Sequence, residues 1–200
     1  MLNKILILFA HPAFQKSRVN KNLIKGISEL DGVTFHDLYQ QYPEFDIDIV
    51  REQELLIQHE IIVFHHPFFW YSTPAILKEW QDLVLEHNWA YGSKGNALKG
   101  KYFFNVITSG GTAEAYSEDG YNGKTIRQLL VPIEQTAKLC KMIFLTPYMV
   151  HGTHRITSDE LTLYNQEYKK LLQNLRDNQI ETETISKHNY LNDYIKQKMD

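Results

Sequence analysis

Three segments of the 200-residue chain concentrate groups able to hold or polarise a ligand. The first is His11-Pro12 followed by Ser17-Arg18-Val19-Asn20. A helical apolar pattern begins at Arg18, so these residues open a helix whose first N–H groups lack internal partners and suit a phosphate. Ser17 and Asn20 add a hydroxyl and an amide, and Lys16 and Arg18 flank the seat. Ser17 is equally a preferred helix cap, and the residues alone leave both roles open. Neither G-x-G-x-x-G nor a Walker lysine–serine pair is present, which argues against the glycine-rich dinucleotide motif and the P-loop.

The second segment runs from His65 to Pro74 and sets Phe68, Phe69, Trp70 and Tyr71 between Pro67 and Pro74. Four consecutive aromatics cannot all face a core. Either some line a cleft, a partner or a flat ligand, or the loop lies under another loop. His65 and His66 point apart in extended chain and have no carboxylate nearby, so no metal is expected there. The third segment is Thr108-Ser109-Gly110-Gly111-Thr112, in which paired glycines let backbone N–H groups approach an anionic edge. Tyr116, Tyr121 and Asn122 follow. Around one crevice, a phosphate seat, an aromatic wall and an amide nest suit a flat, anionic, aromatic cofactor. The expected cofactor is flavin mononucleotide (FMN).

These segments need strands to position them. Lys4–Phe9, Ile61–Phe64 and Tyr102–Ile107 are continuous apolar runs, the pattern of strands buried on both faces. Val33–Leu38 and Lys141–Leu145 are expected as further strands. Helical spacing is expected over Arg18–Leu30, Ile47–His59, the stretch from Pro74 to His87, Ile126–Leu139, and from the Thr157/Glu160 capping box to about Asp177. This alternation predicts an α/β fold with a doubly wound five-stranded parallel sheet in the order 2-1-3-4-5. Ligands then sit beyond the carboxyl ends of strands one, three and four, where the three segments fall. Residues 1–177 form the expected domain. The polar residues 178–200, with Ile180, Ile185, Tyr190, Leu191, Tyr194 and Ile195 scattered among them, are expected as a peripheral tail.

Composition bounds the function classes. The length fits one domain, and the single Cys140 can form no internal disulfide and anchor no zinc or iron–sulfur cluster. A net charge of −3 gives no electrostatic footprint for nucleic acid or an anionic membrane. Leu2–Ala10 lacks a basic leader and breaks at His11-Pro12, so it is expected as a strand in a cytoplasmic protein rather than as a signal segment. Aromatics make up 12% of the chain, a surplus that the cofactor reading partly absorbs.

Across Lys4–Asp177 the sequence resembles the flavodoxin-like NAD(P)H:quinone oxidoreductases. The motifs include Ala10-His11-Pro12, Ser17 through Asn20, Leu38 through Pro43, Trp70-Tyr71-Ser72, Trp89 through Gly92 and Thr108 through Gly111. The branch it most resembles holds the ancillary protein of the glutathione-regulated potassium-efflux system and bacterial general stress proteins. The resemblance implies that His11 and Ser17–Asn20 bind the phosphate and ribityl side, and that Pro67–Tyr71 and Thr108–Gly111 flank the isoalloxazine. It also implies ping-pong hydride transfer from NAD(P)H through the flavin to a quinone. Tyr116 falls on the position of a catalytic tyrosine in mammalian relatives. Asn122 falls near that of a catalytic histidine, where an amide cannot donate a proton from a cationic form. Those relatives use FAD with a longer C-terminal region, so FMN is expected here over FAD. The resemblance further implies a homodimer, with Phe69, Trp70 and Trp89 at an interface or substrate wall.

Two other readings accompany the enzyme. One is a flavin-holding regulatory subunit on a potassium-efflux transporter. The other is a flavodoxin-type electron carrier, which the weak net charge disfavours. Three features stand outside these readings. His151-Gly152-Thr153-His154 is a cofactor-edge loop or plain surface, Cys140 is a small buried hydrophobe, and Lys169-Lys170 belong to a solvated helix face.

Overall fold

The computed structural model describes residues 2–179 and 181–199, so Ile180 lies outside the described residues. β1 (Ile5–Phe9) lies centrally, with β2 (Val33–Asp37) on one side and β3 (Ile61–Pro67) on the other, all parallel. β4 (Tyr102–Thr108) pairs with β3, and the sheet has the expected order β2-β1-β3-β4-β5. Successive side chains of β1 alternate between two cores. Ile5 and Ile7 meet α1 (Arg18–Leu23) and α7 (Ser158–Arg176), while Leu6 and Leu8 meet α3 (Ile49–Ile57), α4 (Ala75–Val84) and α6 (Val131–Leu139).

The edge of the sheet departs from expectation. β5 is only Ile143–Phe144, and a sixth strand, β6 (Tyr148–Val150), pairs with the carboxyl half of β4. Pro147 lies between them and has no N–H to continue a ladder, so the edge is interrupted. β3 runs three residues past Phe64, because His65 and His66 are fully buried and stay in the ladder.

Several helices also differ in extent. α1 stops at Leu23, and Gly26 turns the chain at φ +70°. Asn165 of α7 donates to the freed carbonyls of Leu23 and Lys25 at 2.9 and 3.1 Å. The expected Ile126–Leu139 helix is divided at Leu130 into α5 (Ile126–Leu129) and α6, with Pro132 in the first turn of the latter. His87 lies beyond the end of α4.

α2 (Leu38–Gln41) is locked to α3 and α4 by the buried Glu52 carboxylate. Glu52 accepts from Tyr42 Oη at 2.6 Å, Trp80 Nε1 at 2.8 Å and His36 Nε2 at 2.8 Å. Burial alone would raise its pKa, but these hydrogen bonds leave it below the ordinary value.

The described residues beyond Asp177, expected as a peripheral tail, include side chains packed into the core. α8 (Thr182–Ile185) and α9 (Leu191–Met199) bury Ile185, Leu191, Tyr194 and Ile195 in the core beside α7. Asn192 accepts from Met149 N–H at 2.7 Å and donates to its carbonyl at 3.0 Å. A side-chain amide thus pairs with an edge strand that would otherwise present open backbone groups. Among the described residues, no helix is long and apolar enough to cross a membrane.

Candidate active site

The loops leaving β1, β3 and β4 enclose a cleft of about 440 Å³, within the usual range for a small-molecule site. Of the expected site residues, His11, Ser17, Arg18, Val19, Asn20, Pro67, Phe68, Phe69, Thr108 and Gly110 line it. Ser109 is buried behind it, and Trp70, Tyr71, Gly111, Tyr116 and Asn122 belong to the surrounding loops. Trp89 is elsewhere, half-buried against the core under α3 and α4.

At the β1 end, Ser17 Oγ caps α1 by accepting from Asn20 N–H at 3.2 Å and from Asn20 Nδ2 at 3.0 Å. Asn20 Nδ2 also donates to Thr108 Oγ1 at 3.1 Å, and its Oδ1 accepts from His65 Nε2 at 3.2 Å. With both amide hydrogens engaged and 2% of its surface exposed, Asn20 fastens three loops together instead of reaching a ligand. Ser17 accepts twice, so its own proton is free to turn toward an anionic oxygen. The cap and the phosphate donor are therefore compatible roles. α1 is only six residues long, so anion binding here rests on local N–H groups and side chains more than on a long helix dipole. Arg18 Nη2 donates to the Ile156 carbonyl at 2.5 Å, fixing the cation on the cleft wall.

His11 accepts from Ala13 N–H through Nδ1 at 3.1 Å, which puts the ring proton on Nε2. Burial holds its pKa below the ordinary value, so it offers a neutral N–H donor at neutral pH. His65 is fully buried, and its pKa is pushed down to about 3 chiefly by burial, which fixes it as the neutral donor to Asn20.

The aromatic segment forms a tight turn closed by Ser72 N–H to Phe69 carbonyl at 2.9 Å. Its two central residues, Trp70 and Tyr71, have φ of +51° and +62°. Positive φ at both centres is the pattern of a primed hairpin turn, which ordinarily uses Asn and Gly, and bulky residues there are strained. The turn drives Trp70 outward to 93% exposure, while Phe68 is 7% exposed against Tyr71 and Tyr116. The four aromatics thus divide between core and surface. Tyr71 Oη donates to Asn122 Oδ1 at 3.1 Å, and Asn122 Nδ2 donates to the Ala115 carbonyl at 3.0 Å, so Asn122 joins two loops.

The glycine pair is set by close approach. A Cβ on Gly110 would stand 2.8 Å from His154 Nε2, and one on Gly111 would stand 2.9 Å from Tyr116 Cε2. The carbonyls of Ser109 and Gly111 accept from Thr153 and Gly152 N–H at 3.1 and 2.9 Å, facing them toward the loop after β6. Among the described residues, the N–H groups of Gly110 and Gly111 have no acceptor. Tyr116 lies between Phe68 and His151, and burial raises the pKa of its phenol, which keeps it a protonated donor.

The loop after β6 supplies Thr153 and His154 to the cleft wall. The histidine spacing marked this loop in the sequence, but only the pairing of β6 with β4 brings it to Gly110. Free N–H groups against a glycine cradle, an aromatic turn, and Lys16 and Arg18 at one end form a donor set that fits FMN.

The sequence over residues 3–172 matches the protein family described as having a flavodoxin-like fold, and the chain belongs to that family. It is 47% identical over 169 residues to the glutathione-regulated potassium-efflux system ancillary protein KefG of Pectobacterium carotovorum, covering 84% of this chain and 92% of that one. Among solved structures it resembles general stress protein 14 of Treponema denticola in complex with FMN, at a TM-score of 0.82 and 36% identity over 86% of this chain and 99% of that one. It also resembles an NADPH-quinone reductase from P. pentosaceus, at a TM-score of 0.77 and 30% identity over 84% and 97% of the two chains.

Proposed function

We propose that the protein is an FMN-dependent NAD(P)H:quinone oxidoreductase. The observation that carries this reading is the cleft at the carboxyl ends of β1, β3 and β4, where Gly110, whose N–H has no acceptor among the described residues, meets Phe69 of the aromatic turn, Lys16 and Arg18. The FMN complex of general stress protein 14 and the quinone reductase neighbour support it. FMN bound there would supply the two-electron chemistry of hydride transfer from NAD(P)H to a quinone. Ser17 Oγ, the first N–H groups of α1, Lys16 and Arg18 hold the phosphate. The N–H groups of Gly110 and Gly111 stabilise negative charge on the ring edge without reorganising. Tyr116 donates a hydrogen bond at the cleft rim. Asn122 positions Tyr71 and relays no proton. Phe69 on the cleft wall, with Trp70 on the adjoining turn, would meet the donor and the quinone, and one site serving both substrates would give ping-pong kinetics.

The test is equilibration of the purified protein with FMN and with FAD, followed by gel filtration and assay with NAD(P)H and a quinone. A retained yellow chromophore and quinone-dependent NAD(P)H oxidation are expected. A colourless, inactive protein refutes the reading. The KefG relatives support a second role, as a flavin-holding ancillary subunit at the cytoplasmic face of a potassium-efflux transporter. Co-purification with such a transporter tests it, and the role is compatible with enzymatic activity.

A further inference from the structure

His151 opens the loop after β6, and no step of the proposed reaction uses it. Its Nδ1 lies 3.3 Å from Ser109 Oγ, and that hydroxyl donates to the Gly111 carbonyl at 3.0 Å. A serine has a single hydroxyl proton, so with that proton committed to Gly111 the oxygen accepts from His151. Burial holds the His151 pKa below its ordinary value, so the ring is neutral and carries one N–H. The contact with Ser109 puts that proton on Nδ1. The other tautomer would place it on Nε2, which is buried and has no hydrogen-bond partner among the described residues. Buried N–H groups without an acceptor are the rarer kind of orphan, so the bare lone pair belongs at Nε2.

Two tyrosines hold the ring. Tyr116 lies tilted against it with centroids 5.9 Å apart, and Tyr190 meets it edge-on at 5.6 Å and 72°. Edge-on contact at this separation is a favoured arrangement of aromatic rings. Both tyrosines are half-buried against the core that contains Met149. Tyr190 is fixed in turn by the residues that follow it. Leu191 N–H donates to the Pro147 carbonyl at 2.9 Å, and Asn192 pairs with both backbone groups of Met149. Tyr190 lies outside residues 3–172, so a segment beyond the family match reaches the glycine loop through the His151 ring.

We propose that Tyr190 and His151 are positioning residues for the glycine loop. Tyr190 holds the His151 ring, His151 holds Ser109 Oγ, and Ser109 holds the Gly111 carbonyl, which fixes the loop that brings Gly110 to the cleft. The brace follows from the protein's own contacts, and its effect on binding rests on the flavin reading of the cleft.

The two parts are tested separately in the full-length protein. In flavin-free protein, ring-nitrogen NMR shifts are expected to place the His151 proton on Nδ1. Amide exchange reads the loop through Gly152 and Thr153, whose N–H groups donate to the Gly111 and Ser109 carbonyls at 2.9 and 3.1 Å. His151→Phe keeps a ring between the two tyrosines and deletes the donor, whereas Tyr190→Ala removes the ring behind it. Each is expected to speed exchange at both amides about tenfold and to leave β1 unchanged, as in a local opening. Each is also expected to weaken FMN binding about tenfold, while Tyr190→Phe, which keeps the edge-on ring, stays within about threefold on both readouts. A proton on Nε2 overturns the proposal, and so does exchange at the wild-type rate in His151→Phe. Tyr190→Phe as impaired as Tyr190→Ala overturns the role of the ring contact. Faster exchange with unchanged FMN affinity overturns the part played in binding. Wild-type protein that binds no FMN refutes the flavin reading instead, because the tautomer and the exchange rates still decide the brace. If Tyr190→Ala fails to fold, His151→Phe and the tautomer decide it alone.

Discussion

His65 Nε2 donates to Asn20 Oδ1 across 3.2 Å, joining the central strand β3 to the first turn of α1. Because His65 is buried and neutral, it can donate from only one ring nitrogen, and that donation orients the Asn20 amide toward Ser17 and Thr108. Two hydroxyls at the cleft are thereby fixed by a residue that does not face it.

Asn20→Ala removes this junction and leaves the His65 N–H buried without an acceptor. The expected cost is about 2 kcal/mol of folding stability, the desolvation penalty of an orphaned donor. Looser Ser17 and Thr108 hydroxyls are expected to weaken FMN binding by roughly tenfold, equivalent to ~1.4 kcal/mol. Chemical denaturation and flavin fluorescence titration measure the two effects separately.

Burial lowers the pKa of His65, His66 and His11 below that of free histidine. A group with a depressed native pKa binds more protons when unfolded. Stability is therefore full above the ordinary histidine pKa of 6.5 and is lost as pH falls toward about 3. Melting temperature is expected to fall continuously as pH is lowered from 7 to 5, with a smaller slope in His65→Gln. A pH-independent melting temperature across that range contradicts the assignment.

The two glycines are not equivalent. The neighbour facing Gly110 is the exposed His154 ring, which can swing aside, whereas Gly111 faces Tyr116 in contact with Phe68. Gly111→Ala is expected to reduce FMN affinity and quinone turnover about tenfold, and Gly110→Ala by no more than about threefold, since a displaced packed ring costs on the order of 1–3 kcal/mol. Equal losses in both variants contradict this geometry.

Trp70 combines positive φ with 93% exposure, so its strain is not offset by burial. Trp70→Gly is expected to raise stability by about 1 kcal/mol, the left-handed penalty it removes, while raising the KM for quinone. Melting and steady-state assays on the same preparation read both changes.

The central strands were legible because a parallel strand covered on both faces is a continuous apolar run, as in Ile5–Phe9. β3 beyond Phe64 was not, because the burial of His65 and His66 depends on Asn20 and Asn105, partners distant in sequence. β6 has three residues after a proline and gains its strand identity from β4 alone. Leu191, Tyr194 and Ile195 carry helical spacing but too few turns to stand out, and their burial depends on α7 and β6. At the site, residue types located the three loops. The inward commitment of Asn20 and the arrival of His154 are tertiary facts that no local pattern carries.

The central claim is tested most directly by anaerobic rapid mixing of the FMN-equilibrated protein, first with NADH or NADPH and then with a quinone. The flavin's visible absorbance is expected to bleach in the first mixing and return in the second, each at a rate no slower than steady-state turnover. Absorbance unchanged by either nucleotide, or no chromophore to observe, contradicts the account.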